Sequence, residues 1–117
     1  MSETRPTITS SKLRIYQVNV NHSIKAQADV IHLSPRDWDI ICIQEPYFDF
    51  QGLSRTTNGW TAVYPHKHKN GVKSRSIMLI SSLISTDAWT ALPVDSLDIS
   101  AVTLSGSFGR IRLFNLY

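Results

Sequence analysis

Gln17, Asn19 and Asn21 alternate along the apolar stretch Leu13 to Val20. In an extended chain their three amides face the same way. An amide buried without partners costs on the order of 1–3 kcal/mol, so such a row needs solvent or a polar site at the strand's end. Glu45 follows directly on the most apolar run of the protein, Ile40-Ile41-Cys42-Ile43-Gln44, with Pro46 behind it. In open α/β sheets ligands gather beyond the carboxyl ends of strands. If the two stretches are parallel neighbours, Asn19 and Glu45 emerge at one edge as a hard, oxygen-only corner suited to Mg²⁺. A plainer reading stands beside this one: Asn19 and Asn21 begin a turn and cap a helix, and Glu45 is an exposed loop acid.

The second chemical signal is charge. The chain carries 12 Lys+Arg against 9 Asp+Glu, a formal +3. No acid occurs between Asp49 and Asp87, and that stretch holds Arg55, Lys67, Lys69, Lys73 and Arg75, with His66 and His68 among them. Lys67, Lys69, Lys73 and Arg75 are candidate nucleic-acid contacts, since phosphate contacts dominate nucleic-acid affinity; the alternative is a solvated hairpin tip. Other chemistries lack their residues. Zinc wants several Cys or His ligands, and the chain offers Cys42 and four scattered histidines. No glycine-rich phosphate loop and no G-x-S-x-G elbow occur, and no carboxylate pairs with Glu45 as a glycosidase requires. Trp38, Trp60 and Trp89 read as packing residues.

The elements that must position these groups are legible in outline. Leu13 to Val20 reads as a strand. Asn21-His22-Ser23 supplies helix-capping chemistry, Ile24, Ala28 and Ile31 follow at helical spacing, and Pro35 closes the segment. Asp39 to Gln44 suits a strand buried on both faces. Strand, helix and strand in this span make a βαβ-sized unit with a parallel pair. Beyond it, Trp60 to Tyr64, Ser76 to Ser81, Ile99 to Leu104 and Arg110 to Tyr117 read as strands, with turn signals at Asn58-Gly59, Asn70-Gly71 and Ser105-Gly106. The last two strands form a hairpin, and Ile111, Leu113, Asn115 and Tyr117 share a face. No second helix is expected. The class is mixed α/β and strand-rich.

At 117 residues and 42% hydrophobic the chain fits one globular domain. Its apolar runs fall far short of the roughly 20 residues that span a bilayer, so no membrane partner is expected. Residues 1–12 are polar, without a signal-peptide core, and read as a flexible lead-in. The single cysteine fits a reducing, intracellular compartment. Tyr117 falls in mid-strand pattern, as though the chain were a piece of something longer.

Leu13-Arg14-Ile15-Tyr16-Gln17-Val18-Asn19-Val20-Asn21 followed by Asp39-Ile40-Ile41-Cys42-Ile43-Gln44-Glu45-Pro46-Tyr47 resembles the opening of the endonuclease/exonuclease/phosphatase superfamily, which has the DNase I fold. It is most similar to the endonuclease domains of LINE-type retrotransposons, especially fungal ones. Segments like Trp60 to Pro65, Arg75 to Ile80, Ile84 to Trp89 and Arg110 to Tyr117 recur there in the same order. The resemblance implies that residues 13–117 are the N-terminal half of a four-layer αββα sandwich. It implies Glu45 as the metal-binding glutamate, Asn19 as the asparagine beside metal and scissile phosphate, Asn21 near a second metal-side acid, and Tyr117 as the phosphate-contacting tyrosine. It further implies Mg²⁺ (or Mn²⁺) as cofactor, DNA as partner, nicking of target DNA for reverse transcription as the task, a nuclear site of action, and the rest of a retroelement polyprotein as companion. The family's later Asp-x-Asn and Ser-Asp-His motifs, which supply the water-activating acid and the catalytic histidine, have no counterpart in these residues. Such groups act as a unit, so little or no catalysis is expected of this chain alone. A half-sandwich is also expected to leave its inner sheet face uncovered.

Overall fold

The computed structural model describes residues 12–117; the expected lead-in over residues 1–12 lies outside the described residues except for Lys12. In chain order the elements are β1 (Ile15–Asn19), α1 (Ile24–Ile31), β2 (Ile40–Gln44), β3 (Trp60–Val63), β4 (Ser76–Ser81), a 3₁₀ turn (Thr86–Ala88), β5 (Trp89–Ala91), β6 (Ile99–Gly106) and β7 (Gly109–Leu116). They form a strand-rich mixed α/β domain with one α-helix and two sheets among the described residues. The first sheet is four-stranded with order β1-β2-β4-β3, and the second is three-stranded and antiparallel with order β5-β6-β7. No helix among the described residues is long and apolar enough to cross a membrane.

β1 and β2 are parallel, in the register Ile15↔Ile40 through Asn19↔Gln44. A parallel pair needs a crossover, and α1 supplies it. Ser23 caps that helix, its side chain accepting from the Ala26 N–H at 3.1 Å. The helix expected from the spacing of Ile24, Ala28 and Ile31 is present, and it packs by Val30, Gln27, Ala26 and Ile31. Ile24 is 62% exposed. The reason is Gln27, a polar residue that apolar spacing overlooks. Its buried amide donates to the Tyr47 carbonyl (3.1 Å) and accepts from the Tyr47 N–H (2.7 Å), rotating the helix to clamp the loop after β2.

β2 and β4 are buried along their whole length, because each has layers on both faces. On one face Ile41, Ile43, Ile77 and Leu79 meet Val30, Trp60 and Val20 beneath α1. On the other Ile40, Cys42, Met78 and Ile80 meet Val102 and Leu104 of the second sheet. The inner sheet face is therefore covered by the chain's own β5-β6-β7 sheet, contrary to expectation. It lies open along β1, where Ile15, Gln17, Phe114 and Leu116 border a shallow groove of about 320 Å³. The tryptophans pack as expected. Trp60 is buried with its indole N–H donating to the Leu33 carbonyl (3.1 Å), Trp38 meets Tyr16 edge to face (5.3 Å), and Trp89 lies against the inter-sheet core.

The final hairpin closes more tightly than the turn residues imply: Gly106 pairs with Gly109 around Ser107-Phe108. Gly109 adopts φ +96°, which glycine alone takes cheaply. At the opposite end, Arg14 grips the fully buried Asp39 carboxylate at 3.0 Å and ties the starts of β1 and β2 together. Burial pushes the Cys42 thiol up to about 11. The thiol therefore stays neutral in the fold while the unfolded chain ionises it, so stability is full below about pH 9 and declines as pH rises towards 11. Urea midpoints at pH 8 and pH 10.5 are expected to differ more for the wild type than for Cys42→Ala. Equal differences would mean that burial does not protect this thiol.

Candidate functional site

The carboxyl ends of β1 and β2 form one rim of the first sheet, and Asn19 and Glu45 both stand on it: Asn19 pairs with Gln44, the residue before Glu45. Three non-glycine residues among those described have positive φ, namely Asn21 (52°), His22 (59°) and Glu45 (51°), and all three lie on this rim. The left-handed region costs an ordinary L-residue about 1–2 kcal/mol, and such strain clusters at functional sites. The strained backbones are joined to one another, the His22 N–H donating to the Glu45 carbonyl at 2.8 Å. Asn19 closes the turn with its side-chain oxygen, which accepts from the Asn21 N–H at 2.9 Å. Asn21 thus enters through its backbone, and the turn-forming and site-forming readings of these asparagines coincide in one structure.

Tyr117 reaches the same place from the other sheet. Its hydroxyl donates to Glu45 Oε1 at 2.8 Å, across a separation of 72 residues. That hydrogen bond, with the nearby carboxylate charge, raises the Tyr117 phenol above the ordinary tyrosine range. Arg75 stands over the Tyr117 ring at 4.7 Å and holds Asp98 through a two-pronged ion pair of 2.8 and 3.0 Å. The bond to Asp98 raises the already high pKa of the guanidinium. Asn19, Glu45 and Tyr117 are therefore brought to one edge. Asp98 belongs to the same group, and the only hint of it in the sequence is that it opens the β6 pattern.

Under the rim, a buried polar chain penetrates the inter-sheet core. Gln17 donates to Gln44 Oε1 at 2.9 Å, and Gln44 donates to Asn115 Oδ1. Asn115 donates to the carbonyls of Ile43 (3.1 Å) and Ile77 (2.9 Å). Beside it the Ser76 hydroxyl meets Ser100 (2.7 Å) and the Asn115 carbonyl (2.7 Å). No buried side-chain polar atom among the described residues lacks a partner. Gln44 inside an apolar run and Asn115 on an apolar face were the legible signals for this network.

The basic stretch is less free than its sequence suggests. Lys67 pairs with Asp95 at 2.7 Å, Arg55 with Asp49 at 3.5 Å, and Arg75 with Asp98. Acids distant in sequence reach it through the fold, leaving Lys69 and Lys73 exposed without an acidic partner among the described residues. His68 is structural: it stacks on both Phe48 (4.8 Å) and Tyr64 (4.7 Å), which also touch each other at 6.3 Å. Its Nε2 donates to the Gly52 carbonyl (2.6 Å), and Nδ1 hydrogen-bonds the Ser74 hydroxyl (2.7 Å). Two grooves flank the rim, one of about 460 Å³ walled by Pro46, Tyr47, Phe48 and Ser74, the other of about 450 Å³ by Arg75, Leu97 and Asp98. They meet at His22 and Lys73, which line both.

An amide oxygen and a carboxylate, with one carboxylate oxygen taken by Tyr117, fit a hard cation that keeps most of its water, as Mg²⁺ does. No group of three or more His, Cys, Asp or Glu side chains suited to a metal occurs among the described residues, so the corner rests on Glu45 and amide oxygen. Comparison with protein-family models, curated proteins and solved structures finds no match to any of them.

Proposed function

We propose that this chain is the N-terminal half of a DNase I-like, metal-dependent phosphodiesterase domain, of the kind that nicks DNA in LINE-type retroelements. The observation that carries the reading is the convergence of Asn19, Glu45 and Tyr117 on one strained rim, with Tyr117 hydrogen-bonded to the Glu45 carboxylate. Two sheets packed face to face, with α1 outside the first, supply an α-β-β stack, three of the four layers of an αββα sandwich. Glu45 and Asn19 would hold Mg²⁺ or Mn²⁺, which when bound polarises the phosphoryl oxygen and stabilises charge on the leaving oxygen. The residues of this chain hold the carboxylate in place, present the Tyr117 hydroxyl beside it, and offer Lys73, which lines both grooves, and the exposed Lys69 to the phosphates of a DNA strand. Of the two possible bases at the rim, His22 has Nδ1 turned to the Pro46 carbonyl (3.3 Å) and Asp98 is held by Arg75, whereas hydrolysis needs a base within reach of the attacking water.

The chain alone is accordingly expected to nick supercoiled plasmid in Mg²⁺ barely above background, with Glu45→Ala removing whatever remains. Equal nicking by both proteins would remove Glu45 from the reaction. A second reading, a non-catalytic nucleic-acid-binding remnant, is favoured specifically by the unpaired, exposed Lys69 and Lys73. On it, salt-dependent DNA binding persists in Glu45→Ala but weakens in Lys69→Gln/Lys73→Gln, and the log–log salt slope falls by roughly 1–2. Lys67→Gln, already neutralised by Asp95, should change little.

A further inference from the structure

We propose that Asp98, acting through Arg75, is a positioning residue that fixes Tyr117 on the Glu45 carboxylate; the inference rests on the reading of Glu45 as a cation ligand. Four chain segments meet here in a closed ring. The Glu45 N–H donates to the Arg75 carbonyl at 3.0 Å, the Arg75 N–H to the Leu97 carbonyl at 2.9 Å, and the Tyr117 N–H to the Asp98 carbonyl at 2.9 Å. Side chains repeat the circuit: Arg75 to Asp98 by two bonds, Arg75 over the Tyr117 ring, and the Tyr117 hydroxyl to Glu45.

Tyr117 needs such support. Its residue is 49% exposed, beyond the end of β7, where an aromatic ring is otherwise free to swing into solvent. The guanidinium is a planar fork, and two bonds to one carboxylate fix its plane as an ammonium cannot. The ring then rests on a fixed platform, held by cation–π attraction. With one carboxylate oxygen occupied by the hydroxyl, Glu45 presents its other oxygen in a fixed direction. Groups that orient a ligand in this way are typically worth about 10–100-fold in metal affinity.

Electrostatics and positioning make opposite predictions for one substitution. Arg75→Met removes a positive charge beside Glu45, so charge alone should tighten Mn²⁺ binding, whereas loss of positioning should weaken it. The expected result, from Mn²⁺ titration of the whole chain, is weakening by about tenfold in Arg75→Met. Asp98→Asn and Arg75→Lys should also weaken binding, since each breaks the fork. In a Tyr117→Phe background, Arg75→Met should cost little more, because groups acting through one another are not additive. Unchanged or tighter binding in Arg75→Met, or an undiminished effect in the Tyr117→Phe background, would overturn the proposal. Amide spectra check that each variant folds, and nuclear Overhauser contacts between the Tyr117 ring and the Glu45 and Arg75 side chains give a readout independent of metal. If the wild type binds no Mn²⁺, the cation reading of Glu45 fails and those contacts decide alone. Presence of the Tyr117–Glu45 contact in the wild type and its loss in Arg75→Met and Asp98→Asn sustain the positioning role; its absence from the wild type or persistence in the variants ends it.

Discussion

Glu45→Gly is expected to be more stable than Glu45→Ala by about 1 kcal/mol, with Mn²⁺ binding lost in both. Residue 45 is held at φ 51°, where an L-residue with a Cβ crowds its own backbone and glycine does not. Both substitutions delete the carboxylate and its bond from Tyr117, so those losses cancel in the comparison and the backbone term remains, net of the extra freedom glycine has when unfolded. The conformation is imposed by neighbours on both sides: the Glu45 N–H bonds to the Arg75 carbonyl, its own carbonyl takes the His22 N–H, and Pro46 behind it is buried. Urea denaturation of the two variants measures the difference directly. Equal stability would show that the rim is not strained at this residue. Retention of wild-type Mn²⁺ affinity by either variant would remove Glu45 from the cation corner. A residue that costs stability where it stands and carries a charge on the rim fits the trade between stability and function.

Asn115→Ala is expected to be the most damaging single change considered for the fold, costing on the order of 3 kcal/mol. Asn115 is 3% exposed and bonds to both β2 and β4 from β7. Its removal takes two hydrogen bonds from the Ile43 and Ile77 carbonyls and deprives the buried Gln44 amide of an acceptor. Each buried group left short costs about 1–3 kcal/mol, partly offset by neighbours that still satisfy it. Asn115→Leu should do no better, because it fills the space while leaving the same polar atoms unmet. Gln17→Ala, at the exposed end of the same chain of amides, serves as control and should cost under about 1 kcal/mol. Chemical denaturation of the three variants gives the ordering. If Asn115→Leu equals the wild type, the polar network does not hold the sheets together.

The mixed class, the parallel pair, the crossover helix and the final hairpin were all legible because they depend on local pattern. A run such as Ile40 to Ile43 has to be covered on both faces wherever it goes, and Ser105 to Gly109 turns the chain whatever follows. Asn19 and Glu45 were legible as neighbours for the same reason: a short parallel βαβ unit fixes which strand ends coincide. The exposure of Ile24 was not legible because apolar spacing describes a helix but does not say which face a buried glutamine will claim. The ion pairs of the basic stretch were not legible because its counter-ions, Asp95 and Asp98, lie twenty or more residues away along the chain.

The amino-acid sequence by itself determined the helix, every strand except the three-residue β5, and the rim on which Asn19 and Glu45 stand, since short-range periodicity and turn chemistry act within a few residues. Only the tertiary structure decided that the second sheet lies on the first, that Tyr117 meets Glu45, and that Arg75 turns to Asp98 rather than to solvent. Those contacts join residues 23 to 72 positions apart, and no local pattern encodes a distance that only the packing of two sheets can close.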